Sequence, residues 1–254
     1  MTTICVFGLG EAGSAIAEDL ANRGVVVHGF DPADVLTPPG VVRFHDPKRA
    51  VAGSDVILAI TAARDSTTAV NQAIDDIPTG CIYADLATAA PAVKRNLAAT
   101  AGSRGVPFAD VALMGPVPDR GLSTPALASG PAAPPLCAIV EPLGMPIRVV
   151  GDRPGDAAAH KLIRSVAIKG LAAVVAESLR AAEAAGIGAD TWDDLARQVT
   201  SADEAFLRRL IDGTRLHATR RIDEMEAAKQ LLDDLGIDPI MTSATLDSLI
   251  RVGR

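Results

Sequence analysis

The run Thr3 to Leu20, TICVFGLGEAGSAIAEDL, constrains the fold of this chain more than any other stretch. A short apolar strand leads straight into Gly8, Gly10 and Gly13, and a run of helix formers follows. Such a strand–turn–helix leaves the first N–H groups of the helix free and pointing outward, which favours an anion. The three glycines do different things. Gly8 makes the tight turn, Gly10 lets the backbone approach a pyrophosphate, and Gly13 lets helix pack closely on strand. The next strand-like run, GVVVHGFD, ends at Asp31, the spacing at which a carboxylate accepts hydrogen bonds from ribose hydroxyls. These residues predict a dinucleotide site built from Gly8, Leu9, Gly10, Glu11, Ala12, Gly13 and Asp31. Thr61 and Thr88, where two later strands end, complete the set. Asp31 favours NAD because a 2′-phosphate would meet a like charge. NADP is the alternative, reached if Arg43, the first basic residue to follow, folds back.

The first part of the chain continues in the same alternation. VVRFH, DVILAIT, CIYADL, VPFADVAL and PIRVVG read as further strands, separated by segments long enough for crossover helices. After GDRPGD, Gly151 to Asp156, only helical runs remain. They break at Gly186–Gly188, restart at Ser201 with Glu204 at capping-box spacing, and run through RRIDEMEAAKQLLDDLG to Gly236. A short helix, ATLDSLIRV, is expected after a turn at Pro239. The expected fold is therefore α/β: a Rossmann doubly wound parallel sheet over residues 1–152, then an all-α domain over 153–254.

A net charge of −7 and only 3% aromatic residues argue against nucleic acid as a partner. Cys5, Cys81 and Cys137 are far apart and have no histidine nearby, which suggests neither a disulfide framework nor a metal site. The N-terminus shows no basic leader, and no uncharged apolar run approaches the roughly 20 residues of a membrane span. A cytoplasmic protein without membrane contact is expected. The helix AAAHKLIRSVAIKGLAAVVAESL, Ala157 to Leu179, is apolar nearly all round yet carries Lys161, Arg164 and Lys169. Buried lysines are rare unless paired or used. Its apolar surface suggests cover from a second subunit, so a homodimer is expected.

Several stretches, in order and spread over nearly the whole chain, resemble the β-hydroxyacid dehydrogenase superfamily, which includes 6-phosphogluconate and 3-hydroxyisobutyrate dehydrogenases. GLGEAGSAIAEDLANRG is similar to its opening motif. DLATAAP, Asp85 to Pro91, falls where the family has Asp-x-Ser-Thr-x-x-Pro, and DVALMGPVP, Asp110 to Pro118, where it has its Asp-x-Pro-Val-Ser-Gly-Gly substrate loop. GDAAAHKLIRS resembles the helix that carries the catalytic lysine, with Lys161 at that position. Arg164–Gly170 and Arg220–Met225 resemble a branch with a short, divergent helical C-terminal domain. The chain departs from the pattern at Ala87 and Met114, which replace serines, at Pro116, which replaces a glycine, and at Ser165, which replaces an asparagine. No substrate is carried over from either named enzyme.

The resemblance implies an NAD(P)-dependent oxidoreductase that interconverts a small polar hydroxy acid, in particular a 3-hydroxy acid, and its keto acid. Lys161 would be the general acid–base. Ser165 and Lys169 follow it on one helix face at i+4 spacing, as substrate or second cleft residues. Arg164 and the loop Met114, Gly115, Pro116 and Val117 would line the substrate, with the N–H groups of Gly115 and Val117 replacing the missing serine hydroxyl. Structural roles compete with these: a snorkelling lysine or an ion pair, back-bonding of Ser165 to its helix, a rigid connector, a turn hydroxyl at Thr88. His217, Arg220 and Arg221 read first as a solvated basic face. Two other functions compete. One is imine reduction, although imine reductases resembling this family place Asp or Tyr at the lysine position. The other is a catalytically silent dinucleotide-binding sensor or scaffold.

Overall fold

Apolar runs of four to six residues bounded by glycine or turn residues become strands, and the amphipathic runs between them become helices. The computed structural model describes residues 2–252, apart from the side chain of Arg215. The chain divides into two compact units, residues 1–164 and 165–254. The first contains β1 (Thr3–Phe7), α1 (Glu11–Asn22), β2 (Val26–Phe30), β3 (Val41–Phe44), α2 (Pro47–Ala50) and β4 (Val56–Ala59). It continues with α3 (Ser66–Asn71), β5 (Ile82–Asp85), α4 (Pro91–Gly102), β6 (Phe108–Leu113), β7 (Ala126–Ser129), α5 (Ala133–Val140) and β8 (Ile147–Gly151).

The strands form one sheet in the order β3-β2-β1-β4-β5-β6-β7-β8. The first six positions repeat the doubly wound order, whose reversal between β1 and β4 opens a crevice at the strand ends. Alternation along β1 explains why there are two cores. Ile4 and Val6 join Ile16, Leu20, Val56 and Leu136 on one face of the sheet. Cys5 and Phe7 join Ile57, Tyr83, Leu97 and Phe108 on the other. The three cysteines are buried and free. Burial pushes the Cys5 thiol up, with Cys81 adding to it, and holds Cys81 up at about 12, as suits thiols packed as small hydrophobes.

The sheet departs from the all-parallel expectation at one end. β7 runs antiparallel to β6, and β8 pairs parallel with β7, so both run against the other six. β7 is the alanine-rich ALAS inside the Pro/Gly-rich passage that reads as a connector, and PIRVVG joins the sheet in the opposite sense. Its small residues carry little β propensity of their own; pairing on both sides makes it a strand.

The second unit is helical. α6 (Asp156–Ala184) contributes residues to both units, and α7 (Gly188–Thr200), α8 (Glu204–Leu216), α9 (Ala218–Asp234) and α10 (Ile240–Val252) follow. α8 is capped by Asp203, whose Oδ1 accepts from Phe206 N at 2.7 Å, so the expected capping box from Ser201 does not form. α10 starts at Ile240, a turn earlier than the sequence suggests, because a carboxylate from elsewhere caps it. Glu177 accepts from Met241 N at 2.7 Å, Thr242 N at 2.8 Å and Thr242 Oγ1 at 2.7 Å. α6 is not buried within one chain: Ile163, Val166, Ile168 and Leu171 are all exposed, Val166 at 75%.

Candidate dinucleotide and catalytic site

The glycine loop is built as its spacing requires. Gly8 has φ +91°, and a Cβ there would run into the carbonyl oxygen of Ile60. A Cβ on Gly13 would strike the carbonyl oxygen of Gly8 instead, so α1 can pack only on a glycine. Gly10 differs: its backbone is ordinary, φ −67°, and an added Cβ would meet nothing within 4 Å. No side chain caps α1, which begins at Glu11, Ala12 and Gly13, so its first N–H groups are left to an external acceptor.

A cleft of about 300 Å³ opens beside this loop, lined by Gly8, Gly10, Asp31, Thr61, Asp65 and neighbours. The Thr61 hydroxyl oxygen is buried and has no partner among the described residues. An uncapped helix start, open space at Gly10, an orphaned hydroxyl and a carboxylate at the end of β2 fit a dinucleotide. Asp31 Oδ2 accepts from Leu9 N at 2.7 Å and Oδ1 from Ala33 N at 2.8 Å, which ties the acid to the glycine loop. Arg43 folds back onto the loop that follows Asp31. Its Nη2 donates to the carbonyls of Asp31 and Ala33, both at 2.9 Å, and its Nη1 to Val35 O at 3.3 Å.

A second group of residues gathers past the ends of β5 and β6. Lys161 Nζ donates to Thr88 Oγ1 at 2.8 Å. Arg164 Nη1 donates to the carbonyl oxygen of Met114 at 2.8 Å, fastening the loop after β6. Gly115 is half-buried and Pro116 exposed, whereas the Val117 side chain is buried in the core. Ser165 and Lys169 continue along α6 at successive i+4 positions, in the stretch belonging to the second unit. Arg221 donates to Thr214 Oγ1 at 2.7 Å, which gives one member of the basic cluster a local structural partner.

A cluster that no sequence motif announces lies beneath this corner. Lys94, Asp85 and Asp110 are all fully buried. Lys94 Nζ pairs with the Asp85 carboxylate and lies 3.1 Å from Asp110 Oδ1. Burial raises the Asp85 carboxyl above its ordinary range, against the pull of Lys94. One signal was available: Lys94 occupies the stripe it shares with Leu97 and Ala101, where a lysine is out of place.

The sheet order, the reversal at β1/β4 and the glycine loop at that point define a Rossmann-type dinucleotide-binding protein. Residues 3–128 match the family described as the NAD binding domain of 6-phosphogluconate dehydrogenase, and residues 182–252 match a domain of unknown function. A probable 3-hydroxyisobutyrate dehydrogenase from Mycobacterium bovis is 27% identical over 77% of this chain and 69% of its own length. A conserved hypothetical protein from Sinorhizobium meliloti is 27% identical, with a TM-score of 0.66 over 98% of this chain and 88% of its own. An imine reductase variant from Myxococcus stipitatus, solved in complex with NAD+, shares the fold with a TM-score of 0.83 at 21% identity, covering 100% of this chain and 95% of its own. Residues 3–128 thus belong with the NAD binding domains of the 6-phosphogluconate dehydrogenase type, and the chain as a whole is similar to NAD(P)-dependent oxidoreductases. Among the described residues no helix is long and apolar enough to cross a membrane, and no cluster could hold a metal ion.

Proposed function

We propose that the protein is an NAD-dependent dehydrogenase that interconverts a small polar hydroxy acid, in particular a 3-hydroxy acid, and its keto acid. In this reading residues 1–152 bind the cofactor and residues 153–254 supply substrate contacts and the dimer interface. The observation that carries it is the 2.8 Å hydrogen bond from Lys161 to Thr88, an amine held at the strand ends where doubly wound sheets bind ligands. Nicotinamide supplies the hydride acceptor or donor. In oxidation the neutral Lys161 amine takes the hydroxyl proton as the carbon becomes a carbonyl; in reduction its ammonium returns that proton to the alkoxide oxygen. Thr88 orients the amine through its hydroxyl. Arg164, by holding Met114, keeps the Gly115–Val117 segment in place for a substrate carboxylate, with Ser165 and Lys169 as further polar contacts on the same helix. The Asp31 carboxylate supports NAD over NADP, and Arg43 beside it keeps NADP as the alternative. A homodimer in the cytoplasm completes the reading.

The test is a panel of hydroxy acids and their keto acids followed at the reduced-nicotinamide absorbance, with Lys161→Met beside the wild type. Turnover should vanish in Lys161→Met while cofactor binding, read as thermal stabilisation by NAD, survives. Because oxidation needs the amine and reduction the ammonium, the rates of the two directions should slope oppositely with pH. Turnover of Lys161→Met near the wild-type value would remove the acid–base assignment. Imine reduction is the second reading, favoured by the fold shared with the imine reductase. Cyclic imines in the same panel separate the two, and a protein that binds NAD but turns over neither class is the sensor or scaffold.

A further inference from the structure

The buried charges Asp85, Lys94 and Asp110 touch neither the cleft beside the glycine loop nor the Lys161–Thr88 hydrogen bond, yet they lie between the elements that carry that bond. Asp85 and Asp110 are register partners on β5 and β6, and Ser129 stands opposite Asp110 on β7. Lys94 reaches them from α4, donating to the Asp85 carboxylate and, at 2.9 Å, to the Asp85 carbonyl oxygen. On the far side, Asp110 Oδ2 accepts from Gly155 N at 3.1 Å, Ala158 N at 3.0 Å and Ser129 Oγ at 3.1 Å. Ser129 Oγ in turn accepts from Ala157 N at 3.0 Å. The first turn of α6 is therefore capped by a carboxylate and a hydroxyl of the sheet. Gly155, with φ +103°, lies against the start of α4, where a Cβ would come within 2.9 Å of Pro91 O.

Burying two carboxylates and an ammonium is costly, and well-packed apolar residues commonly stabilise a core as well or better. What apolar residues lack is direction. Thr88 lies three residues after Asp85, and Lys161 lies three residues after Ala158. Each partner of the 2.8 Å bond is thus less than one helical turn, or one short loop, from a group the cluster holds. Lys94 is the link between the two sides.

We propose that Asp85, Lys94 and Asp110 form a positioning clasp that holds the Lys161 amine against Thr88. They are positioning residues, acting through the strand end that leads to Thr88 and through the capped start of α6. The catalytic consequence rests on the reading of Lys161 as the acid–base; the geometric one does not.

The experiment uses full-length protein labelled with ε-15N lysine, in which five lysines give five side-chain signals to assign. Thr88→Ala provides the reference for a Lys161 amine without the Thr88 hydroxyl. The double variant Lys94→Met/Asp85→Asn removes one charge of each sign. Its affinity for NADH, read by nicotinamide fluorescence, should stay within about twofold of wild type, because the glycine loop is untouched. Its Lys161 signal should move to the Thr88→Ala position, and kcat should fall about 100-fold, the scale of a misplacement near 1 Å, with a smaller change in KM. A folded double variant with the wild-type Lys161 signal overturns the clasp. Should the double variant not fold, Ser129→Ala decides: it keeps every charge and removes the acceptor of Ala157 N together with one donor to Asp110 Oδ2. An unchanged Lys161 signal in Ser129→Ala then overturns the proposal, and a shift toward the reference supports it. A moved signal with unchanged kcat leaves the clasp standing and counts against the acid–base reading of Lys161.

Discussion

A methyl group added at Gly10 meets no atom within 4 Å, and the backbone there is one that any residue adopts. Gly10→Ala should therefore leave the melting temperature nearly unchanged, within about 0.5 kcal/mol. If the open space belongs to a pyrophosphate, NAD affinity should still fall sharply. Gly13→Ala has the opposite signature. Its methyl would strike the Gly8 carbonyl, so α1 must shift, at about 1–3 kcal/mol, and binding falls together with stability. Melting curves with and without NAD separate the two variants. A Gly10→Ala protein that binds NAD normally would mean the loop is only a turn. At Asp31 the prediction concerns preference: Asp31→Ser should narrow the ratio of NAD to NADP affinity, because the carboxylate that opposes a 2′-phosphate is gone. An unchanged ratio would place that preference elsewhere, with Arg43 and its loop the next residues to vary.

At the scale of elements, what could be read ahead depended on where each element finds its partners. β1, β4, β5 and β6 are buried on both faces, so their apolar runs announce them. β7 has only alanines, a leucine and a serine, and no local pattern separates it from a connector. The burial of Lys94 and Asp110 leaves little local signal for a related reason. Ionisable residues read as surface, and only neighbours distant in sequence make their burial tolerable. The helix starts teach the same lesson. Asp203 caps α8 locally, so Asp203→Ala should cost about 1 kcal/mol while Ser201→Ala costs little. α10 is capped from α6 instead. Burial opposes ionisation of Glu177, but the donors Met241 N, Thr242 Oγ1 and Thr242 N, together with Arg180, outweigh it and hold the carboxyl below its ordinary 4.5. A folded value below the unfolded one stabilises fully above the unfolded value and is lost as pH falls through the folded one. Glu177→Gln should therefore cost about 1–3 kcal/mol at neutral pH. The gap from wild type should close as pH drops below about 4.5, and a constant gap in acid unfolding curves would contradict the assignment.

The whole molecule exposes more apolar surface than one isolated chain needs. Ile163, Val166, Ile168, Leu171 and Val174 are exposed along α6, and Trp192, Leu207, Leu210 and Ile211 are exposed on α7 and α8. Scattered exposed hydrophobes are ordinary, but a run of them on consecutive turns of a 29-residue helix is what the proposed homodimer would cover. Two of the helix's cations are engaged near its start, Lys161 with Thr88 and Arg164 with the Met114 carbonyl, and the exposed apolar residues follow between them and Glu177. A second copy of the chain is the partner this reading requires, and a stable interface needs about 800 Å² from each copy, within reach of three helices. Light scattering at micromolar concentration should give the mass of two chains. Val166→Asp with Leu171→Asp should give the mass of one, because carboxylates buried without partners cost more than the contacts they replace. Both substitutions lie outside the glycine loop, so NAD should still stabilise the amino-terminal unit of the separated chains. A wild-type protein with the mass of one chain would overturn the dimer. If the double variant keeps the mass of two, the interface lies on another face.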